Sequence, residues 1–161
     1  YTFDGRIGLH NRNEVMVGEL LDALYDLRID PYFEVRLRPK SDKSDYKNLV
    51  REIDHFSHDS DPYQVVYSAD LVFGMTSMLL MESLLLGKNV VAAIPRPEEI
   101  DWVPPSLLER VDYVTNADGL KLQLKEKLID SATNVAVPKP ESTYRQQHNI
   151  ALEKFLMSKI R

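Results

Sequence analysis

One short stretch of the sequence carries the residues best suited to bind a ligand: Gly74, Met75, Thr76 and Ser77, followed by Glu82. A glycine lets the backbone approach a ligand closely, and the free N–H groups at the start of a helix attract anions. The two hydroxyl side chains either cap that helix or bind the same anion. Glu82 lies more than one turn further along, where a carboxylate disfavours a phosphate but accepts hydrogen bonds from sugar hydroxyls. The spacing therefore predicts a site for an anionic ligand that also carries a sugar.

The surrounding residues 69–94, ADLVFGMTSMLLMESLLLGKNVVAAI, indicate how this site is positioned. A short apolar run stops at Gly74, an apolar helical segment follows and ends at Gly87, and a second apolar run begins at Val90. Continuous apolar runs joined by a helix are typical of parallel strands that are buried on both faces. We therefore expect one strand–helix–strand unit, with the ligand at the end of its first strand.

Residues 69–91, ADLVFGMTSMLLMESLLLGKNVV, resemble the nucleotide-sugar segment in the C-terminal domain of GT-B glycosyltransferases and of the related UDP-N-acetylglucosamine 2-epimerases. The resemblance implies that the turn from Gly74 to Ser77 binds the diphosphate and that Glu82 binds the ribose. Many members have a double glycine before the acid, whereas this chain has Gly-Met-Thr-Ser. Its diphosphate contacts would therefore use hydroxyl groups as well as backbone.

The resemblance also implies an α/β fold with a doubly wound parallel sheet, a Rossmann-like three-layer α/β/α arrangement of five or six strands. The reaction would be metal-independent and would need no cofactor, with a nucleotide diphosphate sugar as donor substrate. The acceptor would be a glycan or a lipid. A lipid acceptor is compatible with peripheral membrane association of the parent enzyme. A catalytic base would lie in another domain, and the sequence assigns no catalytic residue.

Length and composition favour one ordinary globular domain covering residues 1–161, with 43% hydrophobic and 28% charged residues. The longest apolar run is interrupted by Glu82 and is too short to cross a bilayer. A net charge of −5 argues against nonspecific nucleic-acid binding, and the absence of cysteine excludes disulfides and thiolate catalysis. These features fit a soluble, cytoplasmic protein.

The first residue is Tyr1 rather than methionine, which suggests that the chain is the C-terminal half of a two-domain protein. Its N-terminal domain would then be a partner within the same protein. In a doubly wound domain a loop and a helix follow a strand. We therefore expect the first strand to lie upstream of Tyr1, or to survive only as a stub over residues 1–3, with the loop from Gly5 to Gly8 facing the domain cleft.

Two basic residues follow the next predicted strand. A helix is predicted from Asn11 or Asn13 to about Leu27, then a strand over residues 32–37, which ends at Arg38-Pro39-Lys40. Ligands collect at the carboxyl ends of such strands. Arg38 and Lys40 would either neutralise the diphosphate or form a solvated basic loop; the solvated loop is favoured for Lys40 and the two are balanced for Arg38.

The segment after a predicted helix over residues 42–53 contains two histidines, His55 and His58, in a predicted loop with spacing unsuited to a metal site. By the resemblance, residues 56–59 contact the nucleobase, with Phe56 and Ser57 as candidate ligand residues. Core packing is the alternative for Phe56. Asp61 and Pro62 then predict the start of a short helix.

Residues 95–105 contain four prolines and predict a long loop over the cleft. Its Trp102 would stack on a sugar or base, or anchor the loop to the domain; anchoring is favoured. A strand over residues 112–114, a helix capped by Asn116 and a closing helix over residues 142–160 complete the expected order.

Other nucleotide and hydrolase motifs are missing from the sequence: GxGxxG, GxxxxGK[ST] and GxSxG do not occur. The expected function is donor binding within a glycosyltransferase. A sugar-nucleotide 2-epimerase-like enzyme and a noncatalytic flavodoxin-like binding domain remain open alternatives.

Overall fold

The computed structural model describes residues 3, 5, 6, 8, 11–58, 61–111 and 113–130, in which helices and parallel strands alternate. The α-helices are α1 (Arg12–Asp26), α2 (Pro62–Ser68), α3 (Met78–Leu85), α4 (Pro105–Leu108) and α5 (Ala117–Leu124), which continues as a π-helical stretch over Lys125–Asp130. The strands are β1 (Glu34–Arg36), β2 (His55–Ser57), β3 (Leu71–Gly74), β4 (Asn89–Ala93) and β5 (Tyr113–Val114). Two 3₁₀ helices cover Lys43–Tyr46 and Pro97–Trp102.

The strands form two parallel sheets, one of β1 and β2 and one in the order β3-β4-β5. The predicted α/β class is thereby confirmed. The difference from the expectation is that these five strands are hydrogen-bonded in two sheets rather than in one. Within the described ranges no strand joins β1 or β2 to β3. We call the side on which the parallel strands end the carboxyl edge.

Strand β4 divides the apolar interior because successive side chains of a strand point to opposite faces. Val91 and Ala93 belong to a cluster with residues of α1 and α5, which we call the α1–α5 core. Val90 and Ala92 belong to a second cluster with residues of α3 and α4. All four side chains are at most 3% exposed. A continuous apolar run is therefore what a strand covered on both faces requires.

The predicted βαβ unit is confirmed, including the glycine that ends its helix. Helix α3 is followed by Gly87, whose φ of +74° lies in the left-handed region that favours glycine. Strand β4 follows and runs parallel to β3, with Gly74 opposite Ala92. Helix α1 also begins where the sequence predicts, since the Asn11 side chain accepts a hydrogen bond from the Asn13 backbone N–H at 2.9 Å.

The helix predicted over residues 42–53 is wrong. The chain forms a 3₁₀ helix over Lys43–Tyr46, opened by a capping box between Asp42 and Asp45, and then a run of turns. The backbone N–H of Asn48 donates to the carboxylate of Glu14 at 3.0 Å, and the Asn48 side-chain amide donates to it at 3.1 Å. Glu14 is 3% exposed. A helical hydrogen bond is thus replaced by a tertiary contact with α1, which satisfies a buried carboxylate.

Two predicted loops also contain regular structure. His55 lies in β2 rather than in a loop, because the carbonyl of Phe33 accepts hydrogen bonds from the N–H groups of Asp54 and His55 at the start of the strand. The predicted loop over residues 95–105 contains the 3₁₀ helix Pro97–Trp102, and α4 begins at Pro105. Proline suits the first position of a helix, where its missing N–H is not needed.

Two predictions concern the ends of the chain. Phe3 is buried in the α1–α5 core, but residues 1 and 2 of the proposed strand stub lie outside them. The predicted closing helix over residues 142–160 lies outside them entirely. Among the helices of the described part, none has the length and apolar character needed to cross a bilayer.

Lys88 connects α2 to the start of β4. Its ammonium donates to the backbone carbonyls of Tyr67 at 2.6 Å and Ala69 at 3.0 Å. Replacing Lys88 with methionine keeps the apolar stem but removes both charge-assisted bonds, so we expect urea denaturation to show a loss of about 1–2 kcal/mol in the free energy of unfolding. Lys121→Met, which removes an exposed ion pair with Asp26, should have a smaller effect. Equal losses in both variants would contradict this role of Lys88.

Tyr113 should make stability fall at alkaline pH. Its hydroxyl is buried with no hydrogen-bond partner among the described residues, and burial raises its pKa from 10.0 to about 12. Ionisation therefore favours the unfolded chain, so stability that is present below pH 10 is lost as the pH rises through about 12. The Tyr113→Phe variant should not lose stability in this pH range. Its free energy of unfolding at neutral pH should be nearly that of the unmodified chain. Parallel alkaline curves for both proteins would contradict it.

Candidate functional site

The turn from β3 to α3 lies at the carboxyl edge, as the sequence predicts. Gly74 is the last residue of β3, and Ser77 caps α3, its hydroxyl accepting a hydrogen bond from the backbone N–H of Leu79 at 3.3 Å. The first turn of α3 therefore begins directly beyond the end of a parallel strand. This is the position at which open α/β sheets bind ligands.

Gly74 is needed here for close packing. Its φ is not in the left-handed region, but a Cβ at this position would lie 3.1 Å from Cδ2 of Leu80. Leu80 is 1% exposed and belongs to the core beneath α3, so it has little room to move. The absent side chain lets the first turn of α3 approach the end of β3, which fixes the geometry of the turn.

The other turn residues have different environments. Met75 packs against the α1–α5 core, Thr76 is half-buried, and Ser77 is exposed. Met75 therefore contributes packing, while the two hydroxyl groups stand at the start of α3. Since the Ser77 hydroxyl is already engaged as the cap, Thr76 has the hydroxyl better suited to a ligand.

Glu82 has a protein partner. It is half-buried in α3, and its carboxylate faces the hydroxyl of Tyr63 in the first turn of α2. The pKa of Tyr63 is raised by burial, and further by the charge of Glu82, by that of Asp61 and by the hydrogen bond to Glu82. Helix α2, which carries Tyr63, follows β2 in the chain. A partner of this kind satisfies a carboxylate in an otherwise apolar helix.

The basic residues after β1 are both exposed. Arg38 and Lys40 follow the carboxyl end of β1. The charge of Arg38 reaches Tyr46, where it partly offsets the rise in the Tyr46 pKa that burial causes. Arg38 is therefore near the β1–β2 sheet.

Phe56 and Ser57 point to opposite faces of β2 and do not form one surface. Phe56 packs in the cluster beneath α1, with its ring centroid 5.9 Å from that of Tyr46 and 5.6 Å from the ammonium of Lys43. Ser57 lies opposite Arg36 and is 6% exposed, and its hydroxyl has no hydrogen-bond partner among the described residues. A buried hydroxyl without a partner is uncommon, which makes Ser57 the better ligand candidate of the two.

A cluster that the sequence did not indicate lies beyond the end of β4, and we call it the Glu99 cluster. Glu99 is 2% exposed; one carboxylate oxygen accepts a hydrogen bond from Nε of Arg96 at 2.8 Å, and the other pairs with Nη2 of Arg12. The guanidinium of Arg12 lies 5.6 Å from the ring centroid of Trp102. Trp102 is 64% exposed, so the expectation that it anchors the loop is wrong. Glu99 anchors the loop instead.

The sequence signal for this cluster is weak. Arg96 and Glu99 are three residues apart, which suits a pair on one helical turn, but nothing in the local pattern connects them with Arg12. Tyr63 was missed for the same reason, because its contact with Glu82 joins two separate helices.

An open depression of about 1050 Å³ lies at the opposite side of the fold, between the end of α1 and the start of β1. Its lining contains three arginines and five acids and none of the predicted site residues. The excess of acids disfavours an anionic ligand there. The carboxyl edge therefore remains the candidate site.

No group of three or more metal-ligating side chains is found in the described part of the chain. Comparisons with models of protein families, with curated proteins and with solved structures find no match for this sequence. The sequence motif of residues 69–91 and the geometry of the carboxyl edge are therefore the observations from which a function is inferred.

The packing of Gly74 on Leu80 can be tested by a double-mutant cycle. Gly74→Ala should lower the free energy of unfolding by about 1 kcal/mol, because the added methyl overpacks against a buried leucine. In a Leu80→Val background the same substitution should be better tolerated, which chemical denaturation of the four proteins would measure.

Gly119→Ala is a matched control, since the nearest atoms to its Cβ would be 3.4 Å away in a helix. The Gly119→Ala substitution should therefore not lower the free energy of unfolding. Additive effects at positions 74 and 80 would contradict the proposed contact.

Proposed function

We propose that this chain is the nucleotide-sugar-binding domain of a GT-B type glycosyltransferase, which transfers a sugar from a nucleotide diphosphate donor to a glycan or lipid acceptor. The observation that carries the proposal is the β3–α3 unit. It combines a glycine-tight turn and a capped helix start at the carboxyl edge of a parallel sheet with Glu82 on the second turn of the helix that follows. The motif resemblance of residues 69–91 supplies the ligand class.

In this proposal the turn from Gly74 to Ser77 receives the diphosphate, whose charge suits the start of α3. Arg38 and Lys40, exposed beyond β1, approach the diphosphate as negative charge develops on the leaving group. Glu82 accepts hydrogen bonds from the ribose hydroxyls, and Tyr63 orients its carboxylate.

The nucleobase would lie toward β2, where the buried hydroxyl of Ser57 is without a partner among the described residues. Phe56 supports that strand through its packing with Tyr46. The donor is the substrate, and no resident cofactor or metal is part of the proposal. A catalytic base would be supplied by an N-terminal domain of the same protein, so we expect binding but little transfer from this chain alone.

The finer fold proposal is a single doubly wound sheet of three layers, with one more strand between β1 and β3. Two observations support it: all strand pairs in both sheets are parallel, and Phe3 is buried in the α1–α5 core ahead of α1. In the parent enzyme this domain would work on the cytoplasmic side, with peripheral membrane association when the acceptor is a lipid.

Calorimetric titration with UDP, GDP, CDP and CMP-linked sugars tests the site. We expect one nucleotide class to bind and Glu82→Ala to weaken it roughly 5-fold to 30-fold, because one or two hydrogen bonds to ribose are worth about 1–2 kcal/mol. Glu109→Ala, an exposed acid at the end of α4, is the matched control and should bind like the unmodified chain.

The absence of heat with every nucleotide, or equal affinities of the Glu82→Ala and Glu109→Ala proteins, would reject the proposed site. Formation of a sugar isomer from the bound donor, without an acceptor, would instead identify the chain as epimerase-like.

A further inference from the structure

Tyr63 and Glu82 form a pair of polar groups that joins α2 to α3. The hydroxyl of Tyr63 donates a hydrogen bond to the Glu82 carboxylate, and both residues are half-buried. The acids Glu14 and Glu99 differ from them, because they are at most 3% exposed. Tyr63 and Glu82 therefore keep part of their surface in contact with solvent.

The helices that carry the pair are anchored. Helix α2 begins at Asp61, whose carboxylate accepts a hydrogen bond from the backbone N–H of Tyr63 at 3.0 Å. Two carbonyls at the other end of α2 accept hydrogen bonds from the ammonium of Lys88. Helix α3 is held by Leu80, which is 1% exposed in the core beneath it. The geometry of the pair is thus supported by contacts outside it, as a binding site requires.

Together the two groups present hydrogen-bond acceptors. A phenol carries one proton, and Tyr63 uses it on Glu82, so lone pairs remain on the Tyr63 oxygen and on the carboxylate. Burial raises the pKa of Tyr63, and the charges of Glu82 and Asp61 raise it further, so the phenol stays protonated at neutral pH. Two neighbouring acceptors beside a negative charge suit a ligand that has two neighbouring hydroxyl groups.

The position of the pair along the chain corresponds to the middle of the proposed donor. Glu82 lies five residues beyond Ser77, a rise of about 7.5 Å along α3. This is comparable with the reach of a nucleotide from its phosphate to its ribose hydroxyls. Tyr63 lies on α2, which follows β2, the strand toward which the nucleobase is proposed to lie. Ribose joins the diphosphate to the base, and its 2′ and 3′ hydroxyls are neighbours.

We propose that Tyr63 is a specificity-determining residue, which together with Glu82 binds the 2′ and 3′ hydroxyls of a ribonucleotide. One of these hydroxyls donates to the Glu82 carboxylate, and the other donates to the Tyr63 oxygen. The ligand class comes from the proposed function, so this assignment rests on that function. It adds a second residue to the ribose contact and restricts the donor to ribonucleotides.

Calorimetric titration with UDP, GDP and CDP, each beside its 2′-deoxy and 3′-deoxy counterparts, measures this specificity. For the base that binds, we expect the unmodified chain to bind the ribonucleotide about 5-fold to 10-fold more tightly than each deoxy counterpart. The reason is that each counterpart leaves one acceptor of the pair without its hydrogen bond.

Tyr63→Phe removes the hydroxyl and keeps the ring. It should weaken binding of the ribonucleotide about 5-fold and abolish the preference over one deoxy counterpart, while the preference over the other remains. Tyr67→Phe is the matched control, since Tyr67 lies on the same helix and is 59% exposed, and it should keep both preferences. Circular dichroism checks that each variant is folded.

Equal affinities of the unmodified chain for the ribonucleotide and both deoxy counterparts would overturn the proposal without any variant. So would a Tyr63→Phe protein that keeps both preferences, or one that binds all three nucleotides more weakly by the same factor, because Tyr63 would then act only in packing. Binding without discrimination leaves the donor site standing. The absence of binding by every nucleotide rejects the donor site and the ribose pair together.

Discussion

The structure depends on the burial of β4 on both of its faces. Alternate residues of this strand contribute to two separate apolar cores, one beneath α1 and α5 and one beneath α3 and α4. Because β4 pairs in parallel with both β3 and β5, all three strands end on the same side. A strand so constrained cannot slip by one residue without exchanging the contents of the two cores. The ends of the three strands are therefore fixed relative to one another.

The carboxyl edge gains its polar groups from this arrangement, and the acids Glu82 and Glu99 lie next to groups that can pair with them. Tyr63 from α2 faces Glu82 of α3, and two arginines from separate segments pair with Glu99. A carboxylate that is removed from water destabilises a fold unless such partners are supplied. Glu99 thus connects the loop after β4 with α1.

Local pattern was sufficient where a structural element is decided by neighbouring residues. The sequence limited the caps to Asn11 or Asn13 and to Thr76 or Ser77, and it predicted the glycine stop at Gly87 and the two apolar strands around α3. The prediction failed for residues 42–53, where Glu14 from α1 takes the N–H of Asn48, and at His55, where the carbonyl of Phe33 starts a strand. In both cases a long-range hydrogen bond overrides local propensity.

The sequence by itself determined the α/β class, the β3–α3–β4 unit and the position of Gly74 and Glu82 within it, because hydrophobic period, caps and glycine stops act over a few residues. Only the tertiary structure decided that the five described strands form two sheets, that Gly74 accommodates Leu80, and that Glu82 faces Tyr63. It also decided that Glu99 is buried while Trp102 is exposed. These outcomes depend on contacts between residues far apart in the chain, and their energies have no signature in local sequence.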